Sequence, residues 1–338
     1  MNALDLAGLR ITLPTGQGPL QAVRGVDLAI APGEMLCLVG ESGSGKSLTA
    51  LSVLGLLPAR ADRRAERLAV VGADLRAATE AQWRTVRGDK ATMIFQDPST
   101  SLDPVWTIGE QMIEGFLAHR PAATRRQALE RAEAMLARTG IDRPALRLRQ
   151  YPHELSGGQR QRVMIATALM TEPSLLIADE PTTALDATVQ AQILAILADL
   201  KRDPGLAILF ITHDLALAAR HADTVAVMYA GEIVETGPRA SVFADPRHPY
   251  TQALLACRPG GAQIGAIPGT VPGLAPPPSG CAFKDRCAHA LPACEATVPA
   301  TARAGGGFVR CLRASEALPA PRPHVAPPPA PVERQGGA

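Results

Sequence analysis

The run Gly40-Glu-Ser-Gly-Ser-Gly45-Lys46-Ser47 sets glycines, hydroxyls and one lysine at spacings suited to holding phosphate. Glycines let a backbone fold around an anion so that successive N–H groups point inward, and a following helix N-terminus favours negative charge. Gly40, Ser42, Gly43 and Gly45 are the cradle residues, Lys46 is the cation for the β- and γ-phosphates, and the Ser47 hydroxyl suits Mg²⁺. A second cluster closes the apolar run Leu175-Leu-Ile-Ala-Asp179-Glu180. In a parallel sheet both carboxylates reach the carboxyl edge, beside such a loop. Asp179 is suited to the Mg²⁺ shell and Glu180 to polarising an attacking water. Taken alone, the first run is also an ordinary glycine-rich turn and the second an ordinary strand end with solvated acids.

The elements that must position these groups follow from periodicity. Residues 35–39 are continuously apolar and predict a buried strand, and 48–57 predict the helix behind the phosphate loop. Residues 5–80 read as a sheet-rich core, and 97–172 carry helical patterns, clearest over 125–139. After Asp186, the residues Val189, Ile193, Leu197 and Leu200 recur at helical spacing and predict a helix covering one sheet face. Residues 207–211 predict another buried strand, and 224–229 with 232–235 predict a hairpin about Ala230-Gly231. The expected class is α/β, a P-loop NTPase. No internal repeat is visible, and the Pro- and Ala-rich residues 316–338 predict a disordered tail.

Composition narrows the partners. With 34 basic and 32 acidic residues the 338-residue chain carries a net charge of +2, which implies no nucleic-acid partner. No window approaches 18 consecutive apolar residues, and the first residues lack a charged-then-apolar leader, so a cytosolic protein is expected. Any membrane contact is then expected to come through other chains.

Three further motifs complete a pattern. They are Gln96 in Ile94-Phe-Gln-Asp97, the run Leu155-Ser156-Gly157-Gly158-Gln159, and His213 in Ile211-Thr-His-Asp214. A lone histidine or glutamine after a strand is bland. In this order, with the phosphate loop and the acidic strand, the five resemble the ATP-binding-cassette (ABC) ATPases over about residues 5–245. The resemblance implies an ABC-type nucleotide-binding domain over 1–246 with a helical subdomain near 97–172. It implies ATP and Mg²⁺ as ligands, Glu180, His213 and Gln96 as catalytic residues, and Gln96 with Asp179 in the metal shell. It also implies a head-to-tail dimer in which Leu155, Ser156, Gly157, Gly158 and Gln159 grip the ATP held by the other ATPase, with Asp186 at the seam. One departure stands out. Such ATPases usually stack adenine on an early aromatic residue, yet residues 1–82 contain none, and Leu13 or Val23 offers only apolar contact. Weak discrimination between ATP and GTP is expected.

Residues 95–111, Phe-Gln-Asp-Pro-Ser-Thr-Ser-Leu-Asp-Pro-Val-Trp-Thr-Ile-Gly-Glu-Gln, are similar to the segment after Gln96's counterpart in dipeptide, oligopeptide and nickel importer ATPases. So is the extension over 247–315, with Arg247-His-Pro-Tyr-Thr251 and Pro278-Ser-Gly-Cys281-Ala-Phe-Lys-Asp-Arg-Cys287. This implies an ATP-hydrolysing subunit energising import of dipeptides or oligopeptides. Nickel, glutathione or another small solute is the alternative cargo, and a soluble non-transport ABC ATPase the alternative class. The implied partners are a second, different ABC ATPase, two transmembrane permeases and an extracytoplasmic solute-binding protein, at the cytoplasmic face of the inner membrane.

Cysteine spacing gives the extension its own expectation. Cys37 in a core strand and the isolated Cys257 read as small buried hydrophobes, whereas Cys281, Cys287, Cys294 and Cys311 gather within about thirty residues. In a cytosolic chain four such thiols argue for a metal over disulfides. A Cys₃His zinc site using His289 and uncoordinated thiols are the alternatives. The importer resemblance implies a [4Fe-4S] cluster, with a structural role ahead of a redox-sensing one.

Overall fold

The computed structural model describes residues 1–16, 18–97, 101–183, 185–257, 267–303 and 305–316. Residues 98–100 of the segment after Gln96, Ala184 beside Asp186, and the tail from 317 onward lie outside these. In chain order the strands are β1 (Leu4–Thr15), β2 (Gly18–Ile30), β3 (Met35–Val39), β4 (Asp62–Arg64), β5 (Arg67–Val70), β6 (Ala73–Asp74), β7 (Ala91–Ile94), β8 (Leu175–Asp179), β9 (Ala207–Thr212), β10 (Thr224–Tyr229), β11 (Glu232–Pro238), β12 (Thr301–Ala302) and β13 (Phe308–Val309). The helices are α1 (Lys46–Val53), α2 (Glu80–Arg84), α3 (Ile108–His119), α4 (Arg125–Arg138), α5 (Pro144–Arg147), α6 (Gly157–Ala168), α7 (Ala187–Leu200), α8 (Leu215–His221), α9 (Arg239–Ala244) and α10 (Pro249–Ala256).

The main sheet runs β12-β13-β11-β10-β3-β9-β8-β7. Strands β10, β3, β9, β8 and β7 pair in parallel, so their carboxyl ends open on one edge. Every residue of β3 is buried, and its side chains alternate between two cores. Met35, Cys37 and Val39 join the helical side, while Leu36 and Leu38 face the antiparallel sheet β2-β1-β5-β6. A strand buried on both faces must be apolar throughout, and each aliphatic side chain so buried contributes about 1.5–3 kcal/mol.

Between β7 and β8 lies a helical subdomain. Three of its helices start from capping boxes at Thr107/Glu110, Thr124/Gln127 and Ser156/Gln159, which satisfy orphan N–H groups. Helix α4 buries Ala128, Ala132 and Leu136 at four-residue spacing. The helix after the phosphate loop spans Lys46–Val53, earlier at both ends than the expected 48–57. Left-handed Gly45 (φ 102°) starts it directly at the lysine, and left-handed Gly55 lies just past its end. The stripe after Asp186 buries Ile193, Leu197 and Leu200.

The extension shares the main sheet, since β13 pairs with β11 through Glu235↔Val309 and Thr236↔Phe308. Beneath that edge Glu235 is fully buried and its carboxyl is pushed up by burial. It accepts from the Arg247 and His248 backbone N–H groups and pairs with Arg303.

Candidate nucleotide site

Four strand ends bring the expected chemistry to one edge. Gly40 follows β3, Glu180 follows β8, His213 follows β9 and Gln96 lies just beyond β7. The order β3-β9-β8-β7 sets them side by side, although the sequence scatters them.

The phosphate loop is held closely by its own chain. A Cβ on Gly40 would lie 2.1 Å from the Met228 carbonyl oxygen, so only glycine fits there. Lys46 is buried, and its ammonium donates to the carbonyl oxygens of Gly40 and Glu41, both at 2.9 Å. Burial pushes the Lys46 ammonium below its ordinary range, opposed by Glu180, Asp179 and Glu41. Burial raises the Asp179 carboxyl, opposed by the Ser47 hydrogen bond and reinforced by Glu180. The Ser47 hydroxyl donates to Asp179 Oδ1 at 3.1 Å. Hydroxyl and carboxylate oxygen, brought together beside a phosphate cradle, are the donor types a hard cation such as Mg²⁺ takes.

Next to this cradle Glu180 collects three partners on one oxygen. Oε2 lies 3.4 Å from Gln96 Nε2, 2.9 Å from the Thr183 hydroxyl and 3.2 Å from His213 Nδ1. Its backbone is left-handed at φ 45°, pinned by an N–H donated to the Ile211 carbonyl at 3.0 Å. For a non-glycine residue this geometry costs on the order of 1 kcal/mol or more and persists only where surroundings enforce it. His213 is 61 % exposed while Glu180 is 15 % exposed, so the carboxylate is sheltered and the imidazole is open. Sequence reading missed Thr183, whose only signal is its place three residues after Glu180.

The run at 155–159 is built differently. Leu155 is buried, Ser156 caps α6 by accepting from the Gln159 N–H at 3.3 Å, and Gln159 Oε1 accepts from the Ser156 N–H at 3.0 Å. Ser156 and Gly157 are exposed, and a Cβ on Gly157 would meet nothing within 4 Å. Gly158 is used internally, for a Cβ there would lie 2.7 Å from Val189 of α7. Among the described residues no hydrogen bond joins 155–159 to the phosphate loop. Asp186 caps α7 by accepting from the Thr188 and Val189 N–H groups at 3.0 and 2.9 Å, and is exposed. Of the residues weighed for base contact, Val23 is 1 % exposed and Leu13 half-buried.

The cysteine expectation is corrected. Among the described residues no group of three or more His, Cys, Asp or Glu side chains is placed to hold a metal ion, which removes both the [4Fe-4S] reading and the zinc alternative through His289. Cys281, Cys287, Cys294 and Cys311 do border one cavity, of only about 20 Å³. Burial pushes the Cys281 thiol up to about 11 and raises Cys287 and Cys311. The sulfurs of Cys287 and Cys294 accept from the backbone N–H groups of His289 and Leu291, each at 3.4 Å. Cys37 is fully buried as expected, but Cys257 is half-buried at the end of α10.

Comparison with known proteins adds an independent line. The family profile described as ABC transporter matches residues 23–183, and that of the oligopeptide/dipeptide transporter C-terminal region matches 234–294. A Brucella melitensis protein provisionally named a peptide import ATP-binding protein is 48% identical over 337 residues, covering 93% of this chain and 97% of its own. The dipeptide transport ATP-binding protein of Escherichia coli is 45% identical over 306 residues, covering 89% and 93%. A dimeric ATP-binding cassette solved in a post-hydrolysis state with ADP and Pi superposes with a TM-score of 0.62 at 26% identity, over 70% of this chain and 98% of that one.

Proposed function

The chain belongs to the ABC transporter family as an ATP-binding, ATP-hydrolysing cassette, and from that premise we propose that it powers an importer of dipeptides or oligopeptides. One observation carries the catalytic part: the sheltered Glu180 carboxylate, gathering Gln96, Thr183 and His213, stands beside the cradle of Lys46, Ser47 and Asp179. ATP binds with its phosphates in the loop at Gly40, Ser42, Gly43 and Gly45, and Lys46 turns from its own carbonyls to the β- and γ-phosphates. Mg²⁺, held by Ser47 and Asp179 with Gln96 nearby, would neutralise phosphate charge and orient the γ-phosphoryl group. Glu180 takes the proton of the attacking water, and His213 donates to the γ-phosphate.

The exposed Ser156 and Gly157, at the start of α6, suit the γ-phosphate of a nucleotide on another ATPase, here a second, different cassette chain, with Asp186 at the seam. Losing that phosphate by hydrolysis parts the two halves. This describes a working unit with residues 1–246 as cassette, about 97–172 as its helical subdomain and 247–315 as a C-terminal module.

The reading places the subunit at the cytoplasmic membrane face against two permeases fed by an external solute-binding protein. Among the described residues no helix is long and apolar enough to cross a membrane. An apolar cleft of about 310 Å³, lined by Phe95, Leu102, Met112, Phe116 and Met164, suits a permease segment, with Val105 and Trp106 also exposed nearby. Peptide is supported by the names of the relatives; nickel complexes and glutathione are the competing cargoes. Purification from gently solubilised membranes tests the assignment. Recovery of two permeases and a second cassette is the expected result, and recovery of soluble partners alone or of nucleic acid overturns it.

A further inference from the structure

Glu41, the second residue of the phosphate loop, has its three polar groups engaged, and two of them by residues more than 200 positions away. Its carbonyl accepts from Lys46 at 2.9 Å, and its N–H donates to the Tyr250 hydroxyl at 2.9 Å. Its carboxylate takes both arms of the Arg286 guanidinium, at 2.7 and 3.0 Å. Arg286 is 4 % exposed at its side chain and spends its remaining donors on the Tyr229 hydroxyl (3.2 Å) and the carbonyls of Ile267 and Pro268 (both 2.9 Å). The guanidinium also stacks over Tyr229 and Phe283, at 5.7 and 5.8 Å from the ring centroids. Five donors in a rigid planar fork are thus all used, a fit lysine could not reproduce.

A carboxylate in a phosphate cradle is otherwise out of place. It stands close enough to Lys46 to act on its charge, and unpaired it would repel the triphosphate that Lys46 attracts. We propose that Arg286 is a positioning residue for nucleotide binding, neutralising Glu41 and fixing the phosphate loop from the C-terminal module. The proposal rests on residues 40–47 being the ATP site. By linkage, nucleotide must then steady the module as much as the module steadies the loop.

The test is titration of the full chain with a fluorescent ATP analogue. Arg286→Met leaves a partly buried carboxylate unpaired, and a loss of about tenfold or more in affinity is expected. Adding Glu41→Gln to that variant should recover most of the loss, because it removes the stranded charge; a merely structural role for Arg286 predicts no recovery. Affinity within twofold of wild type in folded Arg286→Met, or a double variant as weak as the single one, overturns the proposal. Hydrogen exchange on the wild-type chain serves even if Arg286→Met fails to fold. ATP should slow exchange at residues 281–287 severalfold, and unchanged exchange there overturns the coupling. Failure of the wild-type chain to bind, or undiminished binding by Lys46→Ala, instead removes the ATP-site reading and the proposal with it.

Discussion

The phosphate loop and the run at 155–159 are both glycine- and serine-rich helix starts, yet the chain treats them oppositely. The loop is closed on itself: Lys46 is buried among carbonyls, Gly40 is dictated by the Met228 backbone, and Glu41 is held by Tyr250 and Arg286. At the other start Gly157 has no neighbour that requires it, and Ser156 spends its hydroxyl on its own helix cap while staying exposed. Under the proposed function, the loop is the half-site completed within this chain and the run at 155–159 the half-site offered to a second ATPase.

The largest expected effect would break the contrast if absent. Glu180→Gln keeps the shape of the residue and loses the base, so turnover should fall about 10²–10⁴-fold with ATP binding retained. Near-normal turnover would remove Glu180 from that role. Lys46→Ala should weaken nucleotide affinity in the isolated chain by about 100-fold, as expected for losing one partner of a buried charge contact. Calorimetric titration reads this directly, and the same experiment on Gly157→Ala should give wild-type affinity.

Gly157→Ala sharpens the contrast through opposite signs. Alanine in place of an open helical glycine should hold or raise stability by up to about 1 kcal/mol. Turnover by the assembled ATPase pair should nonetheless drop about tenfold, since a methyl group would stand where a phosphate must approach. Equal turnover would mean that this face receives no nucleotide.

Acid should act through one buried histidine of the extension. His248 is fully buried, caps α10 by accepting from the Tyr250 N–H at 3.0 Å, and its ring is pushed down to about 3 by burial. The unfolded chain protonates near pH 6.5 and the folded one does not, so stability is whole above about pH 6.5 and is lost as pH falls toward 3. The loss is about 2 kcal/mol between pH 6.5 and 5. Thermal melts across that range should show it, and His248→Asn should flatten the profile. The smallest effect concerns the base. Without an aromatic residue in positions 1–82 to stack the base, a contact worth about 1–3 kcal/mol, ATP and GTP affinities should differ by less than about fivefold. Competitive titration decides, and a large ATP preference would require another base contact.

Much of the site was legible because its chemistry is local. Gly40 to Ser47, Asp179-Glu180 and Ser156 to Gln159 are contiguous runs whose spacing carries the proposed roles, and buried apolar strands announce where the first two sit. The cysteines misled for the same reason. Spacing along the chain said that four sulfurs could meet, and they do border one cavity, but neither protonation nor a ligating arrangement follows from spacing. Thr183 and Arg286 carry no local signature at all.

The sequence by itself determined which groups exist and which strands must be buried on both faces, because these depend on neighbours a few residues apart. Only the tertiary structure decided that Glu180 collects Gln96 and His213, and that the phosphate loop leans on a residue 245 positions later. Strand order and side-chain burial bring those groups together, and both are set by packing of the whole chain.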